Sequence, residues 1–137
     1  MTHSTSTTWI NNMRFESAID SQKITLDAIT DNEGNNAGVS PKKLLLTSLS
    51  GCSGMDVVGI LIKMKHTPKH FNIKVNAELS AEHPKYYKEI HLIYEFDKSV
   101  PKDKAKKAID LSLEKYCGVN QILKQLAKVS YEIKFIE

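Results

Sequence analysis

The chain has 137 residues and a formal net charge of +3; 41% of its residues are hydrophobic and 26% are charged. A chain of this length suits one domain that buries roughly two-thirds of the surface exposed when unfolded, so folding does not require disulfides. The positive charge comes almost wholly from lysines spread along the sequence, with Arg14 as the single arginine. Nucleic-acid binders usually cluster basic residues on one face, so we expect no nucleic-acid partner.

The expected location is the cytoplasm. The first eight residues are rich in serine and threonine and lack the basic and apolar regions of a secretory signal. The most apolar stretch, from Leu44 to Ile62, contains Asp56 and four serine or threonine residues. Such a stretch suits a buried helix better than a membrane span, so we expect no membrane partner.

A polar β-meander is predicted for residues 8–30. Trp9–Ile19 and Lys23–Ile29 have the composition of strands, and Asp20-Ser21-Gln22 between them is typical of a turn. Residues 31–38 are rich in types that tolerate a positive φ, which predicts a loop.

A long helix is predicted over residues 41–65. Ser40 can cap its first turn, and Pro41 suits the first helical position. Apolar residues cover most of the circumference, which is typical of a central buried helix. The helix would span roughly 35 Å, so in so short a chain we expect a second subunit to cover it.

Strands and helices alternate in the second half. Residues 71–96 contain two apolar runs of period two, which predict antiparallel strands with one buried face. Helices are predicted within residues 102–126, as Lys102–Tyr116 and Asn120–Leu126 with a break at Gly118. A last alternating strand is predicted within residues 128–136. The elements together predict a single α+β domain over residues 1–137.

Cys52 is one of two cysteines and lies in the small-residue segment Ser50–Gly54 of the predicted long helix. A structural disulfide is not expected in a reducing cytosol, so both cysteines are either buried small side chains or reactive thiols. Two glycines within a helix interior cost about 1 kcal/mol each relative to alanine. Close packing of a second helix, or access of a substrate to the sulfur, would compensate for that cost.

Cys117 stands between two predicted helices, just before Gly118 and with Asn120 available as a cap. The partial positive charge at a helix N-terminus favours a thiolate, so the position predicts a reactive thiol with a lowered pKa; the alternative is a cysteine that fills a helix corner. A thiolate oxidised by a peroxide becomes a sulfenic acid, which condenses with a second thiol. Two cysteines are the minimum for that cycle.

Asp56 and the histidines are further candidates for a role in chemistry. Asp56 lies one helical turn after Cys52, and we interpret it as a surface or capping carboxylate, because a catalytic base there would disfavour a thiolate. Four of the five histidines share no metal-ligand spacing with either cysteine, so no metal site is predicted. These four are His66, His70, His83 and His91.

The segment Ser40–Val58, centred on Gly51-Cys52-Ser53-Gly54-Met55-Asp56, and the later segment Glu114–Val119 resemble the OsmC/Ohr family of osmotically inducible and organic-hydroperoxide-resistance proteins. The likeness is greatest to the OsmC-like branch and extends over almost the whole chain. It implies an intertwined homodimer with two long central helices together. Antiparallel β-sheets from both subunits would flank these helices, with active sites at the interface.

The resemblance also implies thiol-dependent reduction of hydroperoxides, preferably organic ones, in defence against oxidative stress. Cys52 matches the family's peroxidatic cysteine and Cys117 its resolving cysteine. Arg14, the only arginine, is the candidate for the family's peroxide-binding arginine. No bound cofactor is implied, and an external dithiol is expected as the reductant.

Lys42 departs from the family pattern. The hydroperoxide-resistance branch carries a glutamate after the helix-initiating proline, and a lysine cannot accept the bidentate guanidinium contact that a carboxylate accepts. The arginine–glutamate pair is therefore absent or rebuilt, with Glu16 or Glu114 as candidates. The departure supports a second hypothesis, a non-catalytic OsmC-like protein that binds a hydrophobic small molecule at the dimer interface.

Overall fold

The computed structural model describes residues 1–29 and 33–136. The helices and strands are β1 (Ser6–Asn11), β2 (Arg14–Ile19), β3 (Gln22–Leu26), α1 (Pro41–Lys63), β4 (Phe71–Leu79), β5 (Tyr87–Asp97), α2 (Lys102–Leu111), a π-helical segment (Ser112–Tyr116), α3 (Gly118–Leu123) and β6 (Lys128–Ile136). The chain is mixed α+β and, within the described ranges, has two three-stranded sheets. It divides into an N-terminal unit, residues 1–46, and a C-terminal unit that begins at residue 47. The single domain over residues 1–137 stays a prediction.

The N-terminal unit contains the antiparallel meander β1-β2-β3. The prediction of one strand over Trp9–Ile19 is wrong, because the chain turns after Asn11. Asn12 there adopts a φ of 46°, a left-handed conformation that asparagine tolerates better than most residues. Residues 30–32 of the predicted meander and loop lie outside the described residues.

The second turn of the meander is shorter than predicted. Asp20 adopts a φ of 54°, and Gln22 already pairs with Ile19 across the two strands. The turn therefore comprises two residues rather than three. β3 ends at Leu26, which also forms a parallel bridge with Val39.

α1 begins at Pro41 as predicted and ends at Lys63, two residues short of the predicted end. Its burial differs from the prediction, because one stripe is buried rather than most of the circumference. The stripe consists of Leu49, Ser53, Val57 and Leu61. Met55 is 79% exposed and Ile62 is 52% exposed. By length and composition, α1 also passes as a membrane span, a test that core helices of soluble proteins pass as well.

The second sheet has the order β4-β5-β6. β4 and β5 are antiparallel as predicted, but β6 runs parallel to β5. The expectation of purely antiparallel sheets is therefore wrong for this sheet. The helical connection between β5 and β6 is long enough for the crossover that parallel neighbours require.

The core of the C-terminal unit is built on one face of β5. The fully buried residues there are Ile90, Leu92, Tyr94 and Phe96, and Ala105, Ala108 and Ile109 of α2 are buried as well. Phe71 of β4 stacks on Phe96 at 4.6 Å between ring centroids. Tyr94 is the one residue of this β5 group with a polar end, and its hydroxyl leads to the candidate site.

Candidate active site

Cys52 is positioned by α1, next to Ser53 of the buried stripe, and is itself half-buried. The two glycines around it have different surroundings. A Cβ on Gly54 would lie 3.2 Å from Ile73 Cδ1, whereas a Cβ on Gly51 would meet no atom within 4 Å. Close packing within the chain therefore explains Gly54, and Gly51 leaves open space on the neighbouring face of the helix.

Cys117 is positioned by the π-helical segment, which lies within the continuous helix predicted for Lys102–Tyr116. Its N–H donates to the Ser112 carbonyl at 2.7 Å, which closes the wider π-type turn. Cys117 then acts as the N-cap of α3, and its Sγ accepts from the N–H of Asn120 at 3.4 Å. As predicted, it lies between two helices, and it is 4% exposed.

The structure brings the two cysteines together. Both are free thiols, and the Cys52 side chain lies close enough to Cys117 to raise its pKa. A half-buried sulfur on α1 thus lies near a buried sulfur at the start of α3. From the sequence, the presence of two cysteines and the family resemblance both pointed to this pair.

The pKa of Cys117 does not follow the prediction of a lowered value. Burial raises the pKa to about 11, and the hydrogen bond from the N–H of Asn120 offsets this only in part. The neighbouring Cys52 and the negative charge of Asp56 raise it further. One hydrogen bond from a six-residue helix does not outweigh desolvation and a nearby carboxylate. Cys117 is therefore a neutral thiol at neutral pH.

A chain of buried hydrogen bonds runs beside the thiols. It joins Tyr94 Oη to Ser53 Oγ at 2.7 Å, Ser53 Oγ to Ser112 Oγ at 2.9 Å, and Ser112 Oγ to Asp56 Oδ2 at 2.9 Å. A carboxylate only accepts, so the Ser112 proton points to Asp56 and Ser53 donates to Ser112. Burial raises the pKa of Tyr94 to about 12, which keeps its hydroxyl protonated as the first donor.

Asp56 is neither the surface carboxylate nor the capping carboxylate that we expected. It is half-buried and accepts a hydrogen bond from Ser112, 56 residues further along the chain. Sequence reasoning missed this pair because no local pattern joins the two residues. The available signal was a single carboxylate on an otherwise apolar helix, since a charge in such surroundings needs a polar partner.

In the N-terminal unit, a buried carboxylate organises the loop after β3. Asp27 is 4% exposed and accepts hydrogen bonds from the N–H groups of Ala28, Asn35 and Ala37 at 2.8, 3.3 and 3.1 Å. Burial opposes its ionisation, but these three bonds outweigh burial and hold the pKa of Asp27 below its usual value. The positive charge of Arg14 acts in the same direction.

Arg14 opens β2 in the N-terminal unit, whereas both cysteines belong to the C-terminal unit. Its neighbouring carboxylate is Asp27, one position beyond the Phe15–Leu26 pair in the β2–β3 register. Of the two glutamates proposed from the sequence, Glu16 lies 3.7 Å from Lys23 in an ion pair. The structure therefore adds Asp27 to the candidate residues.

Two grooves flank the exposed part of α1 in the C-terminal unit. One, of about 610 Å³, lies between α1 and the segment of α2 and π-helix, and its lining includes Asp56, Lys63 and Lys107. The other, of about 590 Å³, lies between α1 and β4 and is mostly apolar. Among residues 1–29 and 33–136, no three side chains of His, Cys, Asp or Glu are grouped to hold a metal ion.

Comparison with known proteins places the chain among relatives of similar length. Residues 33–132 match the family described as OsmC-like protein. Protein YhfA of Escherichia coli K12 is 35% identical over 130 residues, which cover 91% of this chain and 93% of YhfA. A hypothetical protein from Aquifex aeolicus VF5 has a TM-score of 0.86 at 31% identity, with coverage of 100% of this chain and 99% of that chain.

A more distant structural neighbour is a Legionella pneumophila protein described as an organic hydroperoxide resistance protein OsmC. Its TM-score is 0.75 at 14% identity, with coverage of 98% of this chain and 97% of that chain. At this identity the likeness concerns the fold alone.

Proposed function

Because the chain belongs to the OsmC-like family, whose members are generally soluble proteins, we propose that it is a cytoplasmic thiol peroxidase that reduces organic hydroperoxides. The observation that carries the proposal is the proximity of the two free thiols, Cys52 and Cys117. The name of the Legionella protein, which shares the fold, includes hydroperoxide resistance. The proposed role is defence against oxidative stress.

In the first step, the Cys52 thiolate attacks an oxygen of the hydroperoxide. An S–O bond forms, the O–O bond breaks, and the leaving alkoxide takes a proton to become an alcohol, so that Cys52 is left as a sulfenic acid. Exposure supports this order, because Cys52 is half-buried while Cys117 is 4% exposed. Cys117 then condenses with the sulfenic acid, and an external dithiol reduces the disulfide.

Arg14 is proposed to bind the hydroperoxide, on the strength of the family resemblance. The carboxylate that would orient its guanidinium is Asp27 rather than a glutamate at the start of α1, where Lys42 stands. Asp27 is held ionised by three backbone hydrogen bonds, which suits it to that role.

A homodimer through α1 is part of the proposal. Gly51, Met55, Gly59 and Ile62 lie along one helix face, and all four are exposed. Small residues let two helix backbones approach closely, and Met55 and Ile62 supply apolar surface whose burial is favourable by roughly 25 cal/mol per Å².

Thiol counting tests the proposed activity. The reduced protein is treated with one equivalent of cumene hydroperoxide, and free thiols are measured. The wild type should lose both thiols to a disulfide, Cys52→Ser should keep its remaining thiol, and Cys117→Ser should hold a sulfenic acid at Cys52 that dimedone traps. Two unchanged thiols in the wild type would end the proposal.

The second candidate function is binding of a hydrophobic small molecule at the dimer interface. It is favoured by the 590 Å³ groove beside the exposed face of α1, whose walls include Val58, Phe71 and Ile73. Ligand binding would be supported over peroxidase activity by two results. Cys52→Ala would retain an apolar ligand, and the wild type would consume no hydroperoxide.

A further inference from the structure

Asp56 is a carboxylate at the thiol pair that the proposed cycle does not yet use. It follows Cys52 by one turn of α1, so the two residues lie on the same side of the helix. Its Oδ2 accepts from Ser112 Oγ at 2.9 Å, and the Ser112 carbonyl accepts from the N–H of Cys117 at 2.7 Å. Ser112 thus contacts Asp56 through its side chain and Cys117 through its backbone.

The resolving step has a proton problem at Cys117. With a pKa of about 11, raised first by burial, this thiol offers roughly one thiolate in ten thousand at pH 7. A disulfide forms only when the Cys117 sulfur has lost its proton to some base. A carboxylate already in place removes the need to wait for a free thiolate, and such general-base assistance contributes roughly 10²- to 10⁴-fold.

We propose that Asp56 is the proton acceptor for Cys117 in the step that forms the disulfide, an inference that rests on the proposed function. The Cys117 sulfur attacks the sulfenic sulfur of Cys52, so that the S–S bond forms and the S–O bond breaks. The thiol proton passes to Asp56 and then to the departing hydroxide. One water leaves, and Asp56 is again a carboxylate.

The surroundings of Asp56 fit this role. Ser112 occupies Oδ2 as a donor and holds the carboxylate in place. The 610 Å³ groove runs from Asp56 along α1, which gives the proton and the water a route to solvent. The charged or titratable groups around Asp56 are Cys52 and Lys63 on α1, Lys107 on α2, Tyr116 of the π-helical segment, Cys117 before α3, and Tyr94 on β5.

The test follows the two chemical steps separately between pH 6 and 9. Reduced protein is mixed with one equivalent of cumene hydroperoxide and quenched at intervals. Dimedone adducts report the sulfenic acid at Cys52, and loss of both free thiols reports the disulfide. In the wild type the disulfide step should vary little with pH, because it does not wait for preformed Cys117 thiolate.

In Asp56→Asn the disulfide step should slow about a hundredfold at pH 7. Its rate should then rise about tenfold per pH unit, because only preformed Cys117 thiolate reacts. Asp56→Glu keeps the carboxylate and should restore the weak pH dependence. Formation of the sulfenic acid should proceed in all three proteins.

If the disulfide step of Asp56→Asn is slower by the same factor at every pH, so that its pH profile matches the wild type, Asp56 has a purely structural role and the proposal is overturned. An unchanged disulfide rate would overturn it as well while leaving the peroxidase intact. A wild type that forms no sulfenic acid would instead remove the proposed function, and this inference with it. As a check that Asp56 acts on Cys117, iodoacetamide titration of Cys117 in Cys52→Ser should shift to lower pH when Asp56→Asn is added, because the charge of Asp56 raises the pKa of Cys117.

Discussion

The Cys52 thiol, half-buried on α1, lies beside the Cys117 thiol, which is 4% exposed at the N-cap of α3. The pair is asymmetric in accessibility, because a hydroperoxide from solvent can approach only the Cys52 side readily. The buried member is also the one whose pKa is raised by burial. Chemistry on this pair would therefore begin at Cys52 and end at Cys117.

The unfolding free energy of the reduced protein should fall as pH rises from about 9 to about 11. The Cys117 thiol titrates near 11 when folded and near its ordinary value of 9.0 when unfolded, so the unfolded state loses its proton first. The contribution of Cys117 is fully present below pH 9, and about 2 kcal/mol is lost across this window. Urea unfolding under reducing conditions at each pH measures it.

Cys117→Ala is the matched control for that measurement. Tyr94 also has a pKa raised by burial and weakens both proteins at high pH, so only the difference between the two curves reports Cys117. Parallel curves from pH 8 to 11 would contradict the raised pKa.

Ser112→Ala should destabilise the protein by about 3 kcal/mol, because it leaves the Asp56 carboxylate without its donor and Ser53 without its acceptor. Tyr94→Phe removes only the outer end of the same chain and should cost about 1 kcal/mol. Chemical denaturation of the two variants gives both values. Equal costs would mean that Asp56 does not depend on the Ser112 hydroxyl.

Asp27→Ala should lower the melting temperature at neutral pH, because three backbone N–H groups lose their acceptor. The folded pKa of Asp27 is depressed, so its stabilisation is present above the unfolded value of 3.8 and is lost as pH falls through the folded value. The melting temperatures of the wild type and Asp27→Ala should therefore converge as the pH falls below 3.8. Asp27→Asn keeps one acceptor oxygen, so its melting temperature should lie between those of the wild type and Asp27→Ala.

Met55→Glu should dissociate the proposed dimer without unfolding the chain, because this side chain is 79% exposed in a single subunit. A charge at the centre of an apolar helix contact loses its water on association, which is strongly unfavourable. Sedimentation velocity measures the change. Ile122→Glu on α3 is the control, since Ile122 is 73% exposed and lies outside the α1 face. Loss of the dimer in both variants, or in neither, would argue against this interface.

Local patterns predicted most of the elements because each pattern depends on neighbouring residues. Ser40 and Pro41 give the start of α1, and the alternation in residues 71–96 gives β4 and β5. The same alternation does not indicate strand direction, so the sequence could not predict that β6 pairs with β5 in parallel.

Contacts between distant residues decided how much of the site was predictable. Cys52 and Cys117 were identified through the family resemblance, whereas the bond from Ser112 to Asp56 has no local signal. The pairing of Arg14 with Asp27 could have been predicted from the sequence. A two-residue turn after Ile19 fixes a register that sets residue 14 opposite residue 27, but a three-residue assignment of that turn hid it.

The π-helical segment before Cys117 accommodates one more residue in its turn than an α-helix would. A chain one residue shorter at this point would continue as a regular helix and swing the following side chain by about 100° around the axis. The meeting of the two sulfurs thus depends on chain length between Ser112 and Cys117 as much as on the cysteines themselves. A relative with both cysteines but without the extra residue of the π-helical turn would not bring the two sulfurs together.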